Sequence, residues 1–185
     1  MTDPAGEEFR SLRDAVAARG LWRSALALAG LGVWAVVLLA TLVLLPYPVA
    51  AVIPLLILAG TFEVIRPLHV GAERIGRYIQ VFHEEGTAGA GAPVVPPAWE
   101  RTAMALGAAV PGAAGHPLFA PVFAMATVVN SLAILLPGPV PIELALVAVP
   151  HAAFLIWIAL ADRAMRTQRT RELARFREMR GELNS

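Results

Sequence analysis

A single imidazole stands inside an uncharged run near the C-terminal end of this sequence. His151 precedes Ala161 by ten residues, and there the run gives way to Asp162 and Arg163. In a helix that spacing places the ring about 15 Å from the charged end. An ionisable group so deep in an apolar segment is costly and must face protein or water. Thr127, Asn130 and Ser131 lie at comparable depth in the preceding apolar run, with Thr127 and Ser131 one turn apart and Asn130 beside them. These four residues predict one buried polar cluster. One chemistry open to it is a proton, ion or ligand pathway. The other is an interhelical hydrogen bond in which a neutral His151 is satisfied by Asn130 or by a backbone carbonyl freed by Pro150. A proton relay wants a carboxylate partner, and neither run supplies one at that depth.

Glu63 is the remaining candidate for such a pathway. It sits near the charged end of another apolar run, with Arg66 three residues on, a spacing that also suits a local ion pair. Glu143 opens its run, where a negative charge suits a helix N-terminus.

Cofactor chemistry finds little to hold it. A haem in a helical bundle needs two axial ligands at one depth. His69 lies beyond the end of its apolar run, so it and His151 differ in depth by about 20 Å. Met125 lies closer in depth to His151, but as one thioether facing one imidazole. His69 and Glu73, four apart, are a possible two-ligand metal fragment, and His83 is about 21 Å further along the same face. The expected state of that face is solvated. No Glu-x-x-His pair, His-Glu-x-x-His, Walker loop, dinucleotide glycine pattern or nucleophile elbow occurs. Without cysteine there is no thiolate site or disulfide. The sequence therefore predicts no catalytic residues, no metal and no cofactor.

These side chains must be positioned by elements solvated partly by lipid. The 185 residues are 57% apolar and 16% charged, against roughly 45–50% and 25% in soluble domains, and mean hydropathy is +0.64. The excess falls in long blocks. Residues 25–45 carry no charge and would extend about 31 Å as a helix, enough for a hydrocarbon core. Because the apolar run begins only after Arg23, the N-terminal segment does not read as a cleaved signal and should be retained as an anchor. A second run covers 49–65, a third 118–136 and a fourth 142–161. The fold class predicted is an all-α integral membrane protein, with four transmembrane helices forming two short-turn hairpins plus amphipathic cytoplasmic helices.

The expected organisation is an amphipathic N-terminal helix over 1–24, a first hairpin over 25–66 and a cytoplasmic segment over 67–116. A second hairpin over 117–161 and an Arg-rich cytoplasmic helix over 162–185 complete it. Within the middle segment, 68–85 reads as an amphipathic helix that either follows Pro67 or continues the second span. Residues 86–98 read as a Gly/Pro/Ala-rich linker, and 99–114 as an interfacial or re-entrant piece. Leu173, Phe176 and Leu183 predict a stripe that packs on the helix at 68–85. Leu44-Leu45-Pro46-Tyr47-Pro48 echoes Leu135-Leu136-Pro137-Gly138-Pro139. The echo fits either a duplicated hairpin or two turns that independently need proline.

Every basic residue is arginine. Four precede the first run (10, 13, 19, 23), four lie in the middle segment (66, 74, 77, 101) and seven in the tail, while the two short turns have none. By the positive-inside rule both termini and the middle segment are cytoplasmic, in a bacterial-type plasma membrane. Small-residue ridges at Ala25, Ala29, Gly32 and at Ala145, Ala148, Ala152 predict packing faces. The expected partners are the bilayer, with anionic headgroups at the Arg-rich segments, and copies of the chain or other membrane subunits, but not nucleic acid. The function expected is that of a non-catalytic scaffold, accessory or assembly subunit of a membrane complex. The alternative is an oligomeric transporter or channel subunit with a polar site around His151.

Overall fold

The first helix, α1, runs unbroken over Pro4–Leu44, 41 residues or about 62 Å. It fuses the expected lead-in helix to the first apolar run, because the only breaker between them is Gly20, a defect of about 1 kcal/mol in a helix interior. A computed structural model describes residues 4–45, 47–85, 119–133, 135 and 140–183 of the chain. After Tyr47 a single 3₁₀ turn, Pro48–Ala51, leads into α2, Val52–Tyr78. Pro67 lies inside α2, so the stretch after it is a continuation and not a separate helix. The helix then widens to a π-helical segment, Ile79–Glu84. Helix α3 covers Ala120–Ala133 and helix α4 covers Pro141–Leu183, 43 residues that include Pro150. The fourth apolar run and the arginine-rich tail are thus one rod. The expected linker at 86–98 and the interfacial piece at 99–114 lie outside the described residues.

All of the regular elements among the described residues are helical. Three helices, Gly6–Leu44, Pro48–Glu84 and Pro141–Glu182, are long and apolar enough to cross a membrane. Helix α3 is apolar too, but its 14 residues extend only about 21 Å, less than a hydrocarbon core of about 30 Å.

By its internal contacts the chain divides into two units. One takes Met1–Trp22, Leu68–Pro117 and Ala164–Ser185, and the other takes Arg23–Pro67 and Leu118–Arg163. The second unit is apolar. Its inward positions repeat at three and four residues: Leu55, Leu58, Phe62 and Ile65 on α2, and Val147, His151, Phe154, Ile158 and Ala161 on α4. Ala27, Leu38 and Thr41 of α1 and Phe123, Ala126, Thr127 and Asn130 of α3 are buried against them. Such spacing is that of helices packed knobs into holes. Phe62 anchors the centre, edge-on to Phe123 at 5.5 Å and to Phe154 at 6.0 Å between ring centroids. The outward face is as apolar as the inner one, with Leu28, Val36, Leu39, Leu56, Val64, Leu146, Val149 and Ile156 exposed. Polar groups inside and bare leucine and valine outside describe a surface solvated by lipid.

Helices α1 and α2 are in contact where Gly30 meets Thr61. A Cβ on Gly30 would overlap the Thr61 side chain, reaching within 2.8 Å of its Cβ. The small-residue ridges expected as packing faces do not pack within the chain. Ala25, Ala29, Gly32, Ala145, Ala148 and Ala152 are all exposed, and a Cβ on Gly32 would meet nothing. Just before α3, Phe119 holds a left-handed φ of 53°, and the Arg23 guanidinium lies 5.7 Å from its ring.

The other unit is polar and is held by arginine forks between α2 with its π-helical segment and the C-terminal half of α4. Glu172 accepts from Arg74, from Arg77 (Nε 2.9 Å, Nη2 2.6 Å) and from Gln168. Further along the polarity reverses: Glu85 accepts from Arg177 (2.8 Å), and Arg180 donates to the Val81 carbonyl (2.8 Å). Between these rungs Phe176 packs on Tyr78 and Phe82, as the tail stripe predicts. Phe9 of α1 reaches His83, and Tyr78 donates to Glu8.

Candidate functional site

In the apolar unit Asn130 and His151 meet. The Asn130 amide Nδ2 donates to His151 Nε2 at 2.7 Å and to the Ala51 carbonyl at 2.8 Å. Its oxygen accepts from the Trp34 indole at 3.3 Å. The other ring nitrogen, Nδ1, contacts the Val147 carbonyl at 2.7 Å. A carbonyl only accepts, so Nδ1 carries the ring proton and Nε2 is the acceptor that the Asn130 N–H requires. The tautomer and the amide orientation therefore fix each other. Asn130 is fully buried and His151 is 3% exposed. The carbonyl that His151 uses is its own i−4 partner, Val147, and not the Leu146 oxygen that Pro150 leaves without an N–H.

Local sequence explains this convergence. Asn130 sits on the inward row of α3 with Phe123 and Thr127, and His151 on the inward row of α4 with Val147 and Phe154. Ala51 ends the 3₁₀ turn, whose tighter winding turns its carbonyl toward the Asn130 amide. Trp34 faces the same interior from α1, so four elements meet at one amide.

Thr127 and Ser131 do not join them. Thr127 Oγ1 donates to the Phe123 carbonyl at 2.7 Å, and Ser131 Oγ donates to the Thr127 carbonyl at 2.9 Å. Both hydroxyls thus bond back to their own helix, the usual solution for such side chains in an apolar helix. The expected four-residue cluster resolves into one interhelical pair and two locally satisfied hydroxyls.

Glu63 forms a second, separate cluster. Arg66 Nη2 donates to it at 2.9 Å and the Trp157 indole at 2.6 Å. The Arg66 guanidinium also lies over the Trp157 ring, 5.6 Å from its centroid. The ion pair was legible from spacing, whereas the indole donor was not.

In the polar unit, His69, Val70, Glu73, Arg77, Met165 and Gln168 line a cleft of about 220 Å³, its open mouth included. His69 is 4% exposed and Arg77 3%. This corrects the expectation of a solvated face around His69 and Glu73. The His69–Glu73 fragment does share the cleft, but so does the Arg77 guanidinium, bonded to Glu73 at 3.0 Å. That positive charge is a poor neighbour for a cation. Among the described residues no group of three or more His, Cys, Asp or Glu gathers at one point.

The carboxylates of this unit are tuned by their partners. Burial pushes Glu172 up, but hydrogen bonds from Gln168, Arg77 and Arg74 outweigh it and hold the group below the ordinary carboxylate value. Glu85 is lowered chiefly by its bond from Arg177, against the opposing effect of burial. Burial and the contact with Glu8 raise the Tyr78 hydroxyl. The two carboxylate shifts are those of ion-paired groups, and the Tyr78 shift that of a hydroxyl beside a carboxylate. No protein family, curated relative or solved structure matches this chain.

Proposed function

We propose that the chain is a non-catalytic, multi-pass membrane subunit that acts as a scaffold, accessory or assembly component of a membrane complex. The observation that carries this reading is the closure of the buried polar network. Both nitrogens of His151 and both Asn130 amide bonds are used within the chain. A pathway residue needs a lone pair or proton free for its cargo, and His151 has neither. The network instead ties α3 and α4 to α1 and to the start of α2, as polar glue does in lipid.

The topology in this reading is four crossings as two hairpins, with both termini and the middle segment in the cytoplasm of a bacterial-type plasma membrane. Two features support it. The apolar unit is made of two stretches, 23–67 and 118–163, each flanked in sequence on both sides by residues of the single polar unit. The rungs between α2 and α4 keep a nearly constant sequence offset, 92 to 99 residues, so the two helices run parallel there. The fourth crossing requires the third apolar run to reach beyond the 14 residues of α3; Phe119 and Leu135 on either side of it are not helical, and 118, 134 and 136 lie outside the described residues. The outward ridges at Ala25, Ala29, Gly32 and at Ala145, Ala148, Ala152 support assembly with other membrane helices. Arg10 and Arg171, both exposed, support contact with anionic headgroups.

Purification in mild detergent, with native mass and the identity of co-purifying chains, tests the proposal. A second protein at fixed stoichiometry supports the accessory role. A partner-free oligomer whose ion or proton flux in liposomes is lost in His151→Ala, at unchanged thermal stability, would sink it in favour of the transport alternative.

A further inference from the structure

We infer that Glu63, Arg66 and Trp157 form a binding site for a zwitterionic phospholipid headgroup bearing a primary ammonium, of the phosphoethanolamine type. Four observations lead there. The cluster is half-exposed, with the Arg66 and Glu63 side chains 40% and 42% open. It is bordered by the exposed apolar residues Val64, Ile156 and Leu160, so what reaches it must tolerate lipid on one side. The cluster also lies at the charged end of the apolar unit, next to Pro67 and six residues before Arg163, where headgroups lie if the helices cross a membrane. Finally, Arg66 Nε is shielded yet has no acceptor among the described residues. A donor left in that state suits an incoming phosphate oxygen.

The class of headgroup follows from charge. Arg66 supplies N–H donors to a phosphate, and Glu63 keeps a second lone pair on each oxygen after accepting from Arg66 and Trp157. A primary ammonium can donate to those lone pairs. A quaternary ammonium cannot donate, and the Trp157 face that would otherwise attract it is covered by Arg66. A headgroup carrying only negative charge would meet the Glu63 carboxylate with repulsion. The neutral Glu–Arg pair is thus the complement of a neutral, dipolar headgroup and differs from the anionic contacts proposed for the arginine-rich segments.

Native mass spectrometry of the full chain in detergent tests this. The protein is titrated with phosphatidylethanolamine and phosphatidylglycerol of identical acyl chains. Half-saturation with the first is expected at about tenfold lower concentration, the worth of one charge-assisted hydrogen bond. Glu63→Gln keeps an amide oxygen for Arg66 and Trp157 but removes the charge, and should erase that preference. Arg66→Ala should weaken both lipids. Glu63→Gln alone decides if Arg66→Ala does not fold. Equal binding of the two lipids by the native chain, or a preference that survives Glu63→Gln, overturns the assignment. Soluble glycerophosphoethanolamine is the source control: failure to displace the lipid at equal concentration confirms the lipid, and displacement reassigns the site to a free ester.

Discussion

Replacing Asn130 with leucine keeps most of its volume and removes all its hydrogen bonds. Three interhelical bonds disappear, to Ala51, His151 and from Trp34. Interhelical side-chain bonds in membrane proteins average about 0.6 kcal/mol with a ceiling near 1.7, so the loss is about 2 kcal/mol. His151→Leu removes only one interhelical bond, because the bond to Val147 lies within its own turn. Its expected cost is about 1 kcal/mol, once the stranded Asn130 N–H is included. The double variant isolates the pair, with an expected coupling of about 0.6 kcal/mol. Reversible unfolding in mixed micelles, followed by tryptophan fluorescence, measures all three, and Trp34 reports from within the network. A His151→Leu cost equal to or above that of Asn130→Leu would refute the hydrogen-bond accounting. So would zero coupling, and either result would reopen His151 as a group held in place for another purpose.

Gly30 and Gly32 of α1 give a paired test. Gly30→Ala forces the Thr61 side chain aside and should cost about 1–3 kcal/mol, whereas Gly32→Ala points into open space and should stabilise by up to about 1 kcal/mol in the same assay. In the polar unit Glu172→Gln removes the negative charge shared by Arg74 and Arg77 and leaves them one amide oxygen. Arg77 is almost fully buried and would keep only the Glu73 carboxylate. Hydrogen exchange should rise over residues 73–85 and 164–183, with the apolar unit unchanged. Acid should act in the same place: the folded pKa values of Glu172 and Glu85 are depressed. Their contribution to stability is therefore present above the ordinary carboxylate value, about pH 4. It is lost as pH falls below that toward the folded values. Opening free energies of this unit, read from exchange corrected for its intrinsic pH dependence, should therefore fall below about pH 4, and unchanged values down to about pH 3 contradict the assigned ion pairs.

What the sequence makes legible here is depth, and what it hides is facing. Charge-free runs and arginine clusters place His151 and Asn130 at one level because charge is excluded from lipid wherever the fold turns. Their meeting follows, since two buried polar groups at one depth have few other partners. Thr127 and Ser131 share that depth, but a hydroxyl reaches its own helix carbonyl, a choice no spacing reveals. The Ala51 carbonyl is invisible in sequence because every residue carries one. Helix ends are hidden for a related reason: the sequence at Pro67 admits a break or a continuation, and α2 runs through it. The ridge at Ala25, Ala29 and Gly32 has the spacing of a packing face, but only the position of Thr61 reveals that Gly30 makes the contact.

The reversed polarity of the two arginine rungs restricts how α2 and α4 can be aligned. Slide α4 by two helical turns in one direction and Arg77 faces Met165 while Glu85 faces Thr170. Slide it the other way and Arg77 faces Met179. Neither alternative offers a carboxylate of α4 to the nearly buried guanidinium of Arg77, which would lose its shortest ion pair and keep only the one to Glu73. A like-with-like pairing of two copies of either segment in matched register would set arginine against arginine at one rung and glutamate against glutamate at the other. The pattern works as a two-tooth key: it admits one partner helix, in one direction and one register.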